Sequence, residues 1–315
     1  MRQYIARRLL LFIPTLLIIG VFVFAVVRWF PGDIVLMLTR DADFSAQDLA
    51  AERARLGLDK PILEQFGVWT WSMLKGDLGK SLYSKRPIVD EMQQRFPVTV
   101  ELGVLAILFS IIISVPVGVI SAVRQDSLAD YITRSFAIGA LSIPSFWFAT
   151  MAILILSLQF HWIPPLQFVP FFESPSDNLQ LMLIPGLILG INMSGTLMRM
   201  TRTTLLEVLR QDYIRTARSK GILERVVLYR HAMKNALIPI VAILGLEMAH
   251  VIGGSVVLET IFGLPGVGKF IFDVILVRDY PAIQAANLML ALFVLCINLL
   301  IDITQAFLDP RIRYE

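Results

Sequence analysis

A chain of 315 residues that is 56% hydrophobic and only 17% charged, with a mean hydropathy of +0.70, is too apolar for a soluble domain of its size and too apolar to be disordered. Its single cysteine, Cys296, excludes an internal disulfide framework and a cysteine-rich zinc scaffold. The net charge of +3 does not point to nucleic acid, because membrane proteins concentrate Lys and Arg on one side of the bilayer.

In chain order, the first charge-free stretch covers residues 9–27. It runs into Arg28-Trp29-Phe30-Pro31 without a small-x-small cleavage site, so it reads as a retained anchor rather than a signal peptide. The segment 28–97 follows, with ten basic and ten acidic residues. Ser45 and Asp48 have capping-box spacing and open a short helix that Gly57 and Asp59 break. Asp59-Lys60-Pro61 begins a second helix, in which Ile62, Phe66, Trp69 and Met73 share one face. That face either packs on the membrane helices and lipid surface or offers a platform to an outside partner.

Further charge-free stretches cover residues 102–123, 135–172, 178–198 and 282–301, and 235–258 carries only Glu247. Pro164-Pro165 ends the helix of the 135–172 stretch near His161, which with Trp162 suits an interfacial belt. About 20 apolar residues cross a hydrocarbon core of roughly 30 Å as a helix. The reading is therefore an all-α integral membrane protein with six transmembrane helices. Orientation follows from charge. The N-terminus carries Arg2, Arg7 and Arg8, and the loop 199–234 has nine basic residues against three acidic. The loop between spans three and four has no Lys or Arg, and the loop between five and six has two basic against three acidic. Both termini then lie in the cytoplasm.

Enzymatic readings fail on their motifs. Gly263–Lys269 imitates a phosphate loop, but Phe270 stands where Ser or Thr must hold magnesium. Gly79-Lys80-Ser81 has the right ending, but Leu74 replaces the leading glycine. There is no His-Glu-x-x-His, and three histidines (161, 231 and 250) supply neither a metal site nor a Ser/His pair with Ser255.

The cytoplasmic loop is the informative segment. Tyr213, Ile214, Ala217 and Gly221 share one helix face, while Arg215, Arg218, Ser219 and Lys220 point away. Ala217 and Gly221 form a small pair that lets another surface approach the backbone, and Gly221 suits a left-handed helix end. The segment is either a basic helix held by anionic lipid or a lever seated in a cleft of a cytoplasmic partner.

Arg215-Thr-Ala217 followed by Gly221 resembles the EAA loop of ATP-binding-cassette importer permeases, E-A-A-x-x-x-G-x9-I-x-L-P. Arg215 and Thr216 depart from its first two positions, and His231–Lys234 stands in place of I-x-L-P, with Pro239 just beyond. These departures are similar to the form in the dipeptide, oligopeptide, nickel and glutathione branch. So are Tyr4–Leu10 with Pro14, Leu56–Pro61, Gly76–Ser81, Arg95–Leu102, Glu259–Gly266, Arg278–Pro281 and Asp309–Arg313, all in register. The resemblance implies a type I importer permease fold, N-in and C-in, in the cytoplasmic (inner) membrane of a bacterium or archaeon. It divides into an anchor at 1–27, an extracytoplasmic insert at 28–95, a core at 96–302 with the coupling loop 199–234, and a tail at 303–315. It also implies a second homologous permease subunit, two cytoplasmic ATPase subunits and an extracytoplasmic binding protein, with peptides, nickel chelates, glutathione, opines and some sugars as the branch's substrates. ATP and Mg are then used by the partner ATPases, and this chain binds no cofactor or metal. The alternative function is a secondary transporter or channel without ATPases, which the absence of alignable halves and the basic loop disfavour.

Charges inside a span usually face a cavity or a partner. Glu247 and His250 share a face of span five, and with Asn192 and Asn287 they form either a translocation path or plain interhelical hydrogen bonds. Gly245, Ala249 and Gly253 form a small-residue stripe on the opposite face.

The topology is testable. With Cys296 replaced, single cysteines at Gln167 and Ser219 are expected to react with an impermeant thiol reagent from opposite sides of the membrane. Labelling of both from one side refutes the orientation.

Overall fold

The computed structural model describes residues 2–29, 46–55, 57–165 and 167–308. The expected capping residue Ser45, Leu56 and the terminal Asp309–Arg313 motif lie outside these. Helices dominate: α1 (Arg2–Trp29), α2 (Ala46–Arg55), α3 (Ile62–Leu74), α4 (Ile88–Val123), α5 (Leu128–Ser142), α6 (Ser145–Phe160), α7 (Pro175–Leu209) and α8 (Asp212–Ser219). A turn at Glu224–Val226 and a π-helical stretch Val227–Ala232 lead into α9 (Met233–Phe262), followed by α10 (Val267–Leu276) and α11 (Tyr280–Leu308).

Among the described residues, five helices are long and apolar enough to cross a membrane: Ile5–Trp29, Ile88–Val123, Pro175–Leu209, Glu224–Met248 and Tyr280–Phe307. Two broken helix pairs, Leu128–Ser142 with Ser145–Phe160 and Gly253–Phe262 with Val267–Leu276, bring the ceiling to seven. The third charge-free stretch is thus not one straight helix. Its two halves meet at 97°. The cause is local: Ile143 precedes Pro144 and is pushed to extended backbone, φ −87° and ψ 119°, which stops α5 and lets Pro144 begin α6. At its other end, α6 stops at His161 in left-handed geometry, φ 51°, just before the proline pair.

The chain divides into two compact units. The larger contains residues 1–5, 98–265 and 297–315. Its first core gathers Val98, Leu102 and Ala106 of α4 with Leu181, Met182 and Leu189 of α7 and Val251 and Leu258 of α9. Close approach is made possible by glycine. A Cβ on Gly190 would lie 2.5 Å from the Phe109 Cβ, and one on Gly195 2.6 Å from the Leu141 Cγ, so α7 meets α4 and α5 almost backbone to backbone. On the small-residue stripe expected on α9, a Cβ on Gly245 would lie 2.5 Å from the Ile301 Cδ1 of α11. A Cβ on Gly253 would meet nothing, and the Ala249 side chain lies outside the described residues.

A polar clasp closes this unit near one helix end. Arg202 of α7 reaches the fully buried Asp130 of α5 with two parallel bonds, Nε to Oδ1 at 2.8 Å and Nη2 to Oδ2 at 2.7 Å. Asp130 also accepts from the Ser121 hydroxyl of α4 and from the Asp126 backbone N–H at 3.0 Å. Every carboxylate lone pair is engaged, the condition under which a buried ion pair is tolerated.

The smaller unit contains residues 6–97 and 266–296. Phe66 and Trp69 of α3 pack on Phe24 of α1, with ring centroids 5.1 and 5.6 Å away. Part of the face expected to be amphipathic is therefore spent on α1, although Ile62 remains exposed. The Gly-Lys-Ser segment is locked rather than open. Ser81 donates its hydroxyl to Asp279 at 2.5 Å, the Leu82 and Tyr83 N–H groups donate to the same carboxylate, and so does Ala282. Asp279 thereby caps α11 and anchors the loop after Gly79. At the other phosphate-loop mimic, Gly263 takes a left-handed φ of 68° to end α9 and Gly266 caps α10.

Removing Arg202 strands a buried carboxylate. Arg202→Leu is expected to cost about 3–5 kcal/mol, and adding Asp130→Asn should recover a large part of it. Thermal unfolding in detergent measures both, and equal stability of the Arg202→Leu protein and the native chain contradicts the clasp.

Candidate functional site

The loop after α7 builds a compact surface helix. Gln211 opens α8, and its two inward residues, Ile214 and Ala217, are buried in a second core with Leu197, Leu205, Val227, Ala232, Ala236 and Ile240. The three-residue spacing of Ile214 and Ala217 puts both on the same side. The helix ends in a Schellman turn: the Ile222 N–H reaches the Ala217 carbonyl, the Gly221 N–H reaches the Arg218 carbonyl at 2.9 Å, and Gly221 adopts φ 74°. Tyr213 accepts a hydrogen bond from the Asn235 side chain at 2.7 Å, tying α8 to the first turn of α9.

This corrects one expectation. Ala217, expected with Gly221 to form a small pair open to another surface, is instead buried with Ile214 against the chain's own core. A Cβ on Gly221 would meet nothing of this chain within 4 Å, so within the chain this glycine serves its backbone conformation. The outward face is polar and basic. Arg215 pairs with Asp212 at 3.3 Å, and Arg218 grips Glu224 with Nη2 at 2.6 Å and Nε at 3.1 Å, which raises the Arg218 pKa above its ordinary value. Both pairs are exposed and worth little stability. Beside them Leu223, Val226, Tyr229, Arg225 and Arg230 are exposed, an apolar strip set among cations.

Two of the polar residues of the spans donate to backbone carbonyls. Asn192 donates to the Ala140 carbonyl at 3.3 Å and so joins α7 to α5. Asn287 donates to Ile283 of its own helix at 2.8 Å. Glu247 is partly buried on α9, and the side chain of His250 lies outside the described residues. Asn192, Glu247 and His250 belong to the larger unit and Asn287 to the smaller. Sequence reasoning missed Asp130, Arg202 and Asp279. Asp279 had a signal, since Gly76–Ser81 and Arg278–Pro281 both stood out as motifs, but nothing in one dimension pairs them.

Long apolar helices, with a short surface helix packed on residues of two of them, define a multi-pass membrane protein. Comparison with known proteins specifies the class. Residues 114–314 match the family described as the binding-protein-dependent transport system inner membrane component, and residues 1–103 match the N-terminal part of such membrane components. The chain is 39% identical over 315 residues to a putative peptide transport system permease protein of Brucella abortus, with all of both chains covered. It is 36% identical to the dipeptide transport system permease proteins of Escherichia coli K12 and Alkalihalophilus pseudofirmus, again over the full length of each. The chain belongs to the family of inner membrane components of binding-protein-dependent transport systems, the permeases of ATP-binding-cassette importers.

Because Gly221 sits at positive φ without crowding, Gly221→Val is expected to cost about 1–2 kcal/mol locally. Amide hydrogen exchange in 212–222 should speed up while α4 and α7 stay protected. Unchanged exchange in this loop would show that the turn tolerates a β-branched residue.

Proposed function

We propose that this permease forms half of the transmembrane pathway of an importer for short peptides, in the cytoplasmic membrane of a bacterium or archaeon. It pairs with a second homologous permease, takes substrate from an extracytoplasmic binding protein and is driven by two cytoplasmic ATPases that hold ATP and Mg. The chain itself is not catalytic. It crosses the membrane six times with both termini inside, which puts the basic loop 199–234 in the cytoplasm. The peptide substrate is supported by the names of its full-length relatives.

The observation that carries this reading is the two-faced helix α8. Its inner face, Ile214 and Ala217, is wedged on residues of α7 and α9, and its outer face is exposed and basic. A partner gripping Arg215, Arg218 and the strip from Leu223 to Tyr229 would move α8 as a rigid peg, and the wedge would pass that movement into the spans. Tyr213 and Gly221 hold the peg at its two ends. The translocation path is proposed along Asn192, Glu247, His250 and Asn287, since an ionisable group in a span costs about 2.5–3.5 kcal/mol unless it faces water or a partner.

The test uses Leu223→Asp and Tyr229→Glu, two exposed positions that leave the buried face untouched. The chain is expected to insert in normal amount, to co-purify with fewer ATPase chains and to lose peptide uptake. Uptake that survives both changes and persists in ATP-depleted cells carrying an ion gradient assigns the chain instead to carriers that work without ATPases.

A further inference from the structure

The smaller unit holds a cavity of about 520 Å³ whose wall includes none of the residues assigned above to coupling. It opens between the last turn of α1, helix α3 and the first turns of α11. Most of its wall is apolar, with Val27, Leu58, Val68, Trp69, Met73 and Leu78.

Two polar groups in this wall lack a matching anion. Arg28 is partly buried, and its guanidinium meets only neutral acceptors: Nε and Nη2 donate to Gln65 Oε1 at 3.2 and 2.8 Å, and Nη1 to the Phe24 carbonyl at 3.2 Å. Three of its five N–H groups are thereby used. No carboxylate pairs with it among the described residues. Gln284 is 6% exposed, and its Nε2 is buried with no hydrogen-bond partner. A buried donor left unpaired is costly, and an acceptor in the cavity that Gln284 reaches by a turn of its side chain removes that cost. The other ionic groups in the wall are engaged: Lys60 pairs with Glu64 at 2.7 Å, and Asp77 accepts from the Gly79 N–H at 2.9 Å.

The place matters as much as the chemistry. The apolar run of α1 ends at Trp29 and that of α11 begins at Tyr280. Arg28 and Gln284 therefore stand where hydrocarbon gives way to water. We propose that this cavity holds one membrane phospholipid, its phosphate oxygens on Arg28 and Gln284 and the start of its acyl chain along Val68, Trp69 and Met73. A soluble phosphate would use the same donors but would leave the apolar wall uncovered. A free peptide carboxylate shares the acceptor chemistry and is separated by competition. A bound lipid would staple α3 to the first and last spans of the protein.

The experiment is native mass spectrometry of the full chain in its assembled transporter, delipidated in detergent and then supplied with palmitoyl-oleoyl phosphatidylglycerol. Competing arms receive dioleoylglycerol, inorganic phosphate or the dipeptide Ala-Phe. One phospholipid per chain is expected above the random background, undiminished by any competitor. Gln284→Leu should lower its retention about tenfold, the worth of one hydrogen bond to a charged group. Val68→Trp fills the cavity without removing a hydrogen bond, so it keeps the test decisive if the first variant folds poorly; it too should expel the lipid. No retention by the native chain, equal retention by both variants, or displacement by diacylglycerol or phosphate overturns the proposal. Displacement by the dipeptide also overturns it and gives the cavity to a peptide carboxylate.

Discussion

Hydrocarbon offers no hydrogen bond to a peptide group, and everything else in this protein is arranged around that fact. Each backbone N–H and C=O in a span must be satisfied within its own helix. Irregular backbone is thereby restricted to short, specifically capped joints. The 97° bend between α5 and α6 is such a joint: Pro144 has no N–H to leave orphaned, and it starts the next helix at the point where Ile143 ends the last.

Because lipid tails are as apolar as leucine, spans are not driven together by a hydrophobic effect. Shape and polar pairing do the work instead. Gly190 and Gly195 let α7 approach α4 and α5 to backbone distance, which multiplies dispersion contacts. Two buried carboxylates then fix which segments meet. Asp130 joins α4, α5 and α7 through Ser121 and Arg202, and Asp279 joins the loop after Gly79 to the start of α11. Each carboxylate is satisfied by several donors, so neither is left as an uncompensated charge.

The helix α8 is held in place by the same frame. A short helix has little stability of its own. Here Ile214 and Ala217 embed it in the core, the Schellman turn at Gly221 ends it, and the Tyr213–Asn235 bond holds its base. It is therefore packed as one body with the residues beneath it.

Much of this was legible in one dimension. Charge-free stretches located the apolar helices because insertion in lipid penalises charge residue by residue, and the proline pair at 164 and 165 marked the end of α6. The glycine at 221 announced its own conformation, since only glycine takes positive φ without strain. Pairings were not legible. Nothing in a linear pattern says that Ser81 will meet Asp279, that Arg202 will meet Asp130, or that Ala217 faces inward to its own chain and not outward to a partner. Such choices depend on which helix faces come together, and that is decided by packing between residues far apart in sequence. The sequence by itself determined a polytopic helical membrane protein and the position of its surface helix, because both follow from local transfer energies and local backbone preference. Only the tertiary structure decided which face of that helix is free, because burial belongs to a pair of surfaces and not to a residue.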